Sequence, residues 1–387
     1  MKRTIGLRVN KLPEIPSGLR MTPANNLVSP TISADLGRLY HHYYFDSYNA
    51  SPPNPDPTNF EYLRFLAGTP EFRFANHGPG ASSLKKRNLS TEMGQAFCRY
   101  ILHDHFGVRY FAHFDRVLER TTHPAFEEMK ILRKDRGDTP DYLCARSVSR
   151  PLLAEAKGRF SPIGFGTVEF QGWRDQFQRI QVVDRNGNPI RLKGFIVATR
   201  FVTEANPKLP TSVLYLEDPE TDGLEQTADT VLSPLGRIIA AQHYSTVLQK
   251  LGLSLLAGSL DFGFAVPPEI GFVVPVWTCV LPELTHRKFI GGYWPRGDAT
   301  ATLTSQGIFP QHKEDLLVLG HRHYTFVGLD LSVAQSLRSA SLDRWEALDR
   351  LPELEFEVTR PSQVTWLADG TITGPLEFFQ LENIVQL

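Results

Sequence analysis

Residues 139–159 read TPDYLCARSVSRPLLAEAKGR, and the spacing of Asp141, Glu155 and Lys157 within them decides how the chain is read. Side chains alternate faces along a strand, so Glu155 and Lys157 share one face while Ala154 and Ala156 take the other. Tyr142 to Ala145 is a second short run of strand formers, and the polar segment Arg146 to Pro151 is long enough to turn the chain back. A β-hairpin is therefore expected, with Asp141 meeting Glu155 across it. Two adjacent carboxylates repel unless a cation lies between them, and hard oxygen ligands suit Mg²⁺ or Mn²⁺. A lysine beside such a cation can orient an attacking water and offset charge developing on a phosphorane, which points to phosphodiester hydrolysis. The plainer alternative is a same-face surface ion pair with Asp141 as an ordinary turn residue.

The flanking order of elements adds to this. Upstream, Ser90 can cap a helix over 90–105 whose apolar positions Met93, Ala96, Phe97, Tyr100 and Ile101 follow helical spacing, ended by Gly107. A strand is expected over Val108 to Phe114. Downstream, Thr167 to Val182 reads as a helix with Phe170, Trp173, Phe177 and Ile180 on one side. Two buried strands follow, Gly194 to Val202 and Ser212 to Leu216, then a helix opened by Ser233 and Pro234 and closed by Gly252.

With Pro140 and Asp141 as "PD" and Glu155, Ala156 and Lys157 as "ExK", residues of about 85–255 resemble the PD-(D/E)xK nuclease superfamily. The resemblance implies an α/β restriction-endonuclease-like core, a mixed sheet flanked by helices in the order α-β-β-β-α-β. It also implies that Asp141 and Glu155 bind Mg²⁺ or Mn²⁺, joined by Glu92 from the first helix. Gln176 on the second helix would lie near the scissile phosphate, with Gln171 and Gln178 as rivals. The activity implied is that of a nuclease, most plausibly a DNA endonuclease, and by analogy the effector of a bacterial restriction or phage-defence system. Two alternatives stay open: a nuclease-fold module that binds nucleic acid or a partner without cutting, and a structural or adaptor protein.

Net charge is −1, yet local basic clusters border the motif. Lys85, Lys86 and Arg87 precede the first expected helix; Lys130, Arg133, Lys134 and Arg136 precede Asp141; Arg146 and Arg150 lie in the hairpin turn. Lys85, Lys86, Arg87 and Arg146 are the candidate phosphate contacts, and DNA is favoured over RNA as the partner. The chain has no G-x-x-x-x-G-K-[ST] loop, so an energy-driven or targeting step would fall to another protein. Homodimer formation is a further expectation by analogy with relatives that cut two strands.

At 387 residues, 41% hydrophobic, the chain suits more than one domain: an N-terminal extension over 1–84, the core over 85–255 and an accessory α+β or mostly β domain over 256–387. In the first segment Tyr40, Tyr43, Tyr44 and Phe45 could stack unpaired bases, though packing is the commoner use. Cys98, Cys144 and Cys279 lack paired metal spacing and are expected as buried free thiols, in keeping with a reducing cytoplasm. The start MKRTIGLRVNKLPEIP has no apolar signal core. The apolar stretch Gly263 to Leu281 carries Pro267, Pro268, Glu269 and Pro275, against a membrane-spanning helix. His312, His321 and His323 could suggest zinc, but nothing in the sequence completes a site.

Overall fold

The computed structural model describes residues 2–47, 62, 65–118, 129–206, 208–221, 223, 233–294, 300–304, 307–311, 325–342, 345–354 and 364–387. The chain divides into two units, Met1–Ser47 with Glu61–His243, and Tyr48–Phe60 with Tyr244–Leu387.

The first unit is mixed α/β. In chain order it holds β1 (Lys2–Asn10), β2 (Thr31–Asp35), α1 (Leu36–Ser47), α2 (Ser83–Phe106), β3 (Tyr110–His113), α3 (Phe114–Val117), β4 (Met129–Arg133), β5 (Tyr142–Ala145), β6 (Pro151–Arg159), α4 (Val168–Gln178), β7 (Ile180–Asp184), β8 (Pro189–Ile190), β9 (Lys193–Arg200), β10 (Val213–Glu217) and α5 (Ser233–Lys250), within which the two units divide. Seven strands form one sheet in the order β2-β1-β10-β9-β6-β5-β3, and β4, β7 and β8 form a separate small one. The β5–β6 hairpin is antiparallel, with Tyr142 opposite Ala154. Strand β6 then runs parallel to β9, a pairing that requires a crossover, and α4 lies on that connection. The six central residues of β9 are all buried, as expected where both faces of a strand are covered.

The sequence reading is corrected in three places. The described stretch 2–47 is not a separate extension: β1 pairs parallel with β10 and antiparallel with β2, inside the sheet. Three basic residues, Lys2, Arg3 and Arg8, break up the apolar run of β1 and hide it. The first helix is capped by Ser82, whose side chain accepts from the Lys85 amide, while Ser90 lies inside the helix and donates to the Arg87 carbonyl at 2.9 Å. Gly107 does end it, at φ 67°. The second helix stops at Gln178, and Ile180 opens β7 opposite Arg133, because Ile180, Val182 and Val183 are better fitted to a ladder than to a helix.

The second unit holds α6 (Ser254–Phe262), β11 (Val273–Cys279), β12 (Lys288–Trp294), the hairpin β13–β14 (Thr300–Thr304, Gly307–Gln311), β15 (Thr325–Asp330), α7 (Leu331–Ala340), β16 (Thr365–Trp366), β17 (Thr371–Pro375) and β18 (Phe379–Gln386). Its main sheet is antiparallel throughout, in the order β16-β17-β15-β12-β11-β18. Helix α7 ends at Ala340, and Trp345–Arg350 forms a separate 3₁₀ segment. All three cysteines are buried free thiols. Among the described residues no helix is long and apolar enough to cross a membrane. His312, His321 and His323 lie outside the described residues.

Candidate active site

Helix α2 lies so close to β6 that two glycines are required. A Cβ on Gly158 would sit 1.7 Å from the Ser90 carbonyl oxygen, and one on Gly94 would sit 2.5 Å from the Gly158 amide. Gly158 therefore points at α2, as do Ala156 and Ala154 by strand alternation, and Glu155 and Lys157 project to the other face. Helix α4 covers that other face: a Cβ on Gly194, the β9 partner of Leu153, would meet the Phe177 ring at 2.7 Å.

On this face the three motif residues converge. Asp141, immediately before β5, donates its amide to Glu155 Oε2 at 3.1 Å, while its own Oδ2 accepts the Ala156 amide at 2.9 Å. The two hydrogen bonds tie the strands together and hold both carboxylates in place. The Lys157 ammonium is 3.5 Å from Asp141 Oδ2 and in direct contact with Glu155 Oε1. The Glu155 side chain is 0% exposed, against 24% for Asp141 and 29% for Lys157. Burial, then the Asp141 charge, pushes the Glu155 carboxyl well above the carboxylate range against the pull of Lys157. Burial alone would lower Lys157, but the two carboxylates outweigh it and its pKa is raised. With both carboxyls ionised the cluster carries one more negative than positive charge, and its oxygens are the hard donors that Mg²⁺ or Mn²⁺ prefers.

Glu92 is held apart from this group. It lies on α2, the opposite side of the sheet, and its Oε2 accepts from Tyr62 at 2.7 Å and Tyr43 at 3.4 Å. The structure thus gives Glu92 tyrosine partners in place of the metal-ligand role implied by the resemblance. Of the three glutamines on α4, Gln171 bonds Asp175 and Arg174 on its own helix, and Gln178 is exposed. Gln176 is 3% exposed, and its Oε1 has no hydrogen-bond partner among the described residues. Lys85 and Arg87 are exposed and Lys86 half-buried, all within the first turns of α2, where the helix dipole disfavours cations. Arg146 is half-buried in the hairpin turn. A cleft of about 670 Å³ opens on the α4 side, lined by Lys11, Lys134, Arg174 and Arg191 among others. It reaches Leu153, two residues before Glu155 on the same face of β6.

Sequence reasoning missed a buried ionic group on the opposite face. Asp46 Oδ1 is 2.8 Å from Arg99 Nη1 and 3.1 Å from His113 Nε2, and its Oδ2 accepts from Tyr142 at 2.7 Å. Tyr142 adjoins Asp141, so this group anchors the start of β5. The four residues are scattered over α1, α2, β3 and β5, and no sequence spacing could have joined them. Tyr40, Tyr43, Tyr44 and Phe45 on α1 are buried, as packing requires.

Comparison of the chain with family models, with curated proteins and with solved structures finds no match.

Proposed function

We propose that the first unit is a metal-dependent nuclease core of the PD-(D/E)xK type, hydrolysing phosphodiester bonds in DNA. The observation that carries this reading is the convergence of Asp141, Glu155 and Lys157 on one face of the β5–β6 hairpin, with one ammonium in reach of both carboxylates. The element order α2-β3-β5-β6-α4-β9 supports it, once the one-turn helix α3 and the small β4/β7/β8 sheet are set aside, because it follows the α-β-β-β-α-β order of that fold. Asp141 and Glu155 would hold Mg²⁺ or Mn²⁺, which when bound polarises the phosphate and lowers the pKa of a bound water. Lys157 neutralises charge as the attacking oxygen and phosphate come together. Gln176 is the one buried amide on α4 with an acceptor left unused, suited to orienting a water or a neighbouring donor. Lys11 and Arg174 in the α4-side cleft are neutralised by Glu220 and Glu217, so a phosphate backbone there would meet chiefly Lys134 and Arg191.

The test is incubation of the purified protein with labelled single-stranded and duplex DNA and RNA, with Mg²⁺, Mn²⁺ or a chelator. Metal-dependent internal cleavage of DNA is the expected result. Chelator-insensitive binding with no cleavage would favour the non-cutting module, and neither binding nor cleavage would leave the hairpin as ordinary structure.

A further inference from the structure

A second cluster lies between α1 and α2, away from the motif face. His42 is 1% exposed, and neither of its ring nitrogens has a hydrogen-bond partner among the described residues. A neutral imidazole carries one N–H donor and one acceptor, and burying both unsatisfied costs on the order of 1–3 kcal/mol for each group. Such a residue calls for an ion or water that satisfies it. What faces it is specific. Ligand atoms of His42, His103 and Asp104 all lie within 4.8 Å of one another. The His42 and His103 rings are 5.0 Å apart between centroids, and His103 Nδ1 is 3.0 Å from Asp104 Oδ1. The other Asp104 oxygen, Oδ2, is 3.0 Å from Arg38 Nη1.

We propose that His42, His103 and Asp104 bind a divalent transition-metal cation of the Zn²⁺ class, fastening α1 to α2. Two imidazoles and a carboxylate are the donor set that Zn²⁺ takes with one water, and nitrogen donors separate it from the oxygen-only site preferred by Mg²⁺. A Zn–N bond is about 2.0–2.1 Å long, so the three side chains close inward on the ion by small rotations. Arg38 keeps Asp104 Oδ2 in its present bond, a carboxylate contact outside the ligand set of the kind that orients metal ligands. The ion would link two helices: His42 comes from one and its partners from the other, and Tyr43, next to His42, bonds Glu92 on α2.

The experiment loads chelator-stripped full-length protein with Co²⁺ and reads its visible spectrum, then repeats thermal unfolding with Zn²⁺. Wild type should show the intense bands of tetrahedral Co²⁺ at one equivalent and a Zn²⁺-dependent rise in Tm. Glu155→Gln should retain both, because its change lies on the other face of the sheet. His42→Leu should lose both, and should fold because leucine fills the site without a polar demand. His103→Gln serves as a second ligand deletion if His42→Leu does not fold. A wild type with no such bands, or bands that survive loss of a histidine ligand, would overturn the proposal and leave the cluster holding water.

Discussion

Two buried carboxylates in the first unit, Asp46 and Glu155, are treated in opposite ways by their surroundings. The Asp46 side chain is 3% exposed and has Arg99, His113 and the Tyr142 hydroxyl around it. Burial alone would raise its pKa, but His113 and then Arg99 overcome it, and the net shift is downward. Glu155 is 0% exposed, sits beside a second carboxylate and has one ammonium shared with it, and its pKa is driven up. Equal burial with opposite shifts shows that the sheet can satisfy an anion when only stability is at stake. At Glu155 one ammonium is shared by two carboxylates, and under the proposed reading a bound metal ion would complete the group.

The largest expected effect breaks the Asp46 side. Asp46→Ala removes one partner from a buried network and leaves Arg99 and His113 without it, which should cost about 3–5 kcal/mol of unfolding free energy. The sign with pH follows from the lowered pKa. The Asp46 contribution is complete above the ordinary carboxylate range and is lost as pH falls through the depressed folded value, so the deficit of Asp46→Asn should shrink in acid. A deficit independent of pH would mean that packing, and not charge, accounts for it.

The next effect sharpens the Glu155 side. Lys157→Ala should reduce cleavage by on the order of a hundredfold or more, the scale of losing one positioned electrostatic group. Its Mg²⁺ affinity should stay near wild type or improve, because a like charge is removed and no ligand is lost. Asp141→Ala should lose both binding and cleavage. A Lys157→Ala protein that cuts as well as wild type would show that the ammonium belongs to an ordinary ion pair.

The smallest effect concerns the basic turns of α2. Replacing Lys85, Lys86 and Arg87 by alanine should weaken DNA binding and flatten its salt dependence by about one unit of log–log slope per lost phosphate contact. An unchanged slope would place the three side chains away from the phosphate path.

How much of this was legible in the sequence depended on whether the signal was local. The β5–β6 hairpin, the shared face of Glu155 and Lys157 and the approach of Asp141 follow from period-two geometry and a turn of the right length. The close seating of α2 on β6 was not legible, since Gly94 and Gly158 are 64 residues apart and their need for each other exists only in three dimensions. That seating puts Glu92 on the wrong side of the sheet for the role implied by the resemblance. β1 was hidden for a related reason: it pairs with β10 across more than 200 residues, and its charged ends look like loop. The Asp46 group and the His42 cluster combine residues from α1 with residues of α2 and the strands, so neither leaves a spacing to read.

The most direct test is thermal unfolding of wild type and Glu155→Gln, each with and without Mg²⁺, a cation that imidazole clusters bind poorly. Because the folded pKa of Glu155 is raised, its ionisation subtracts stability as pH climbs from the ordinary carboxylate range toward the folded value. Without metal, Glu155→Gln should therefore equal or exceed wild type in stability at neutral pH, with Lys157 still paired to Asp141. With Mg²⁺ at about a hundred times its dissociation constant, wild type should gain about 2.7 kcal/mol and the variant nothing. A variant destabilised by several kcal/mol, together with a wild type indifferent to Mg²⁺, would contradict the account and make Asp141, Glu155 and Lys157 a structural ion pair.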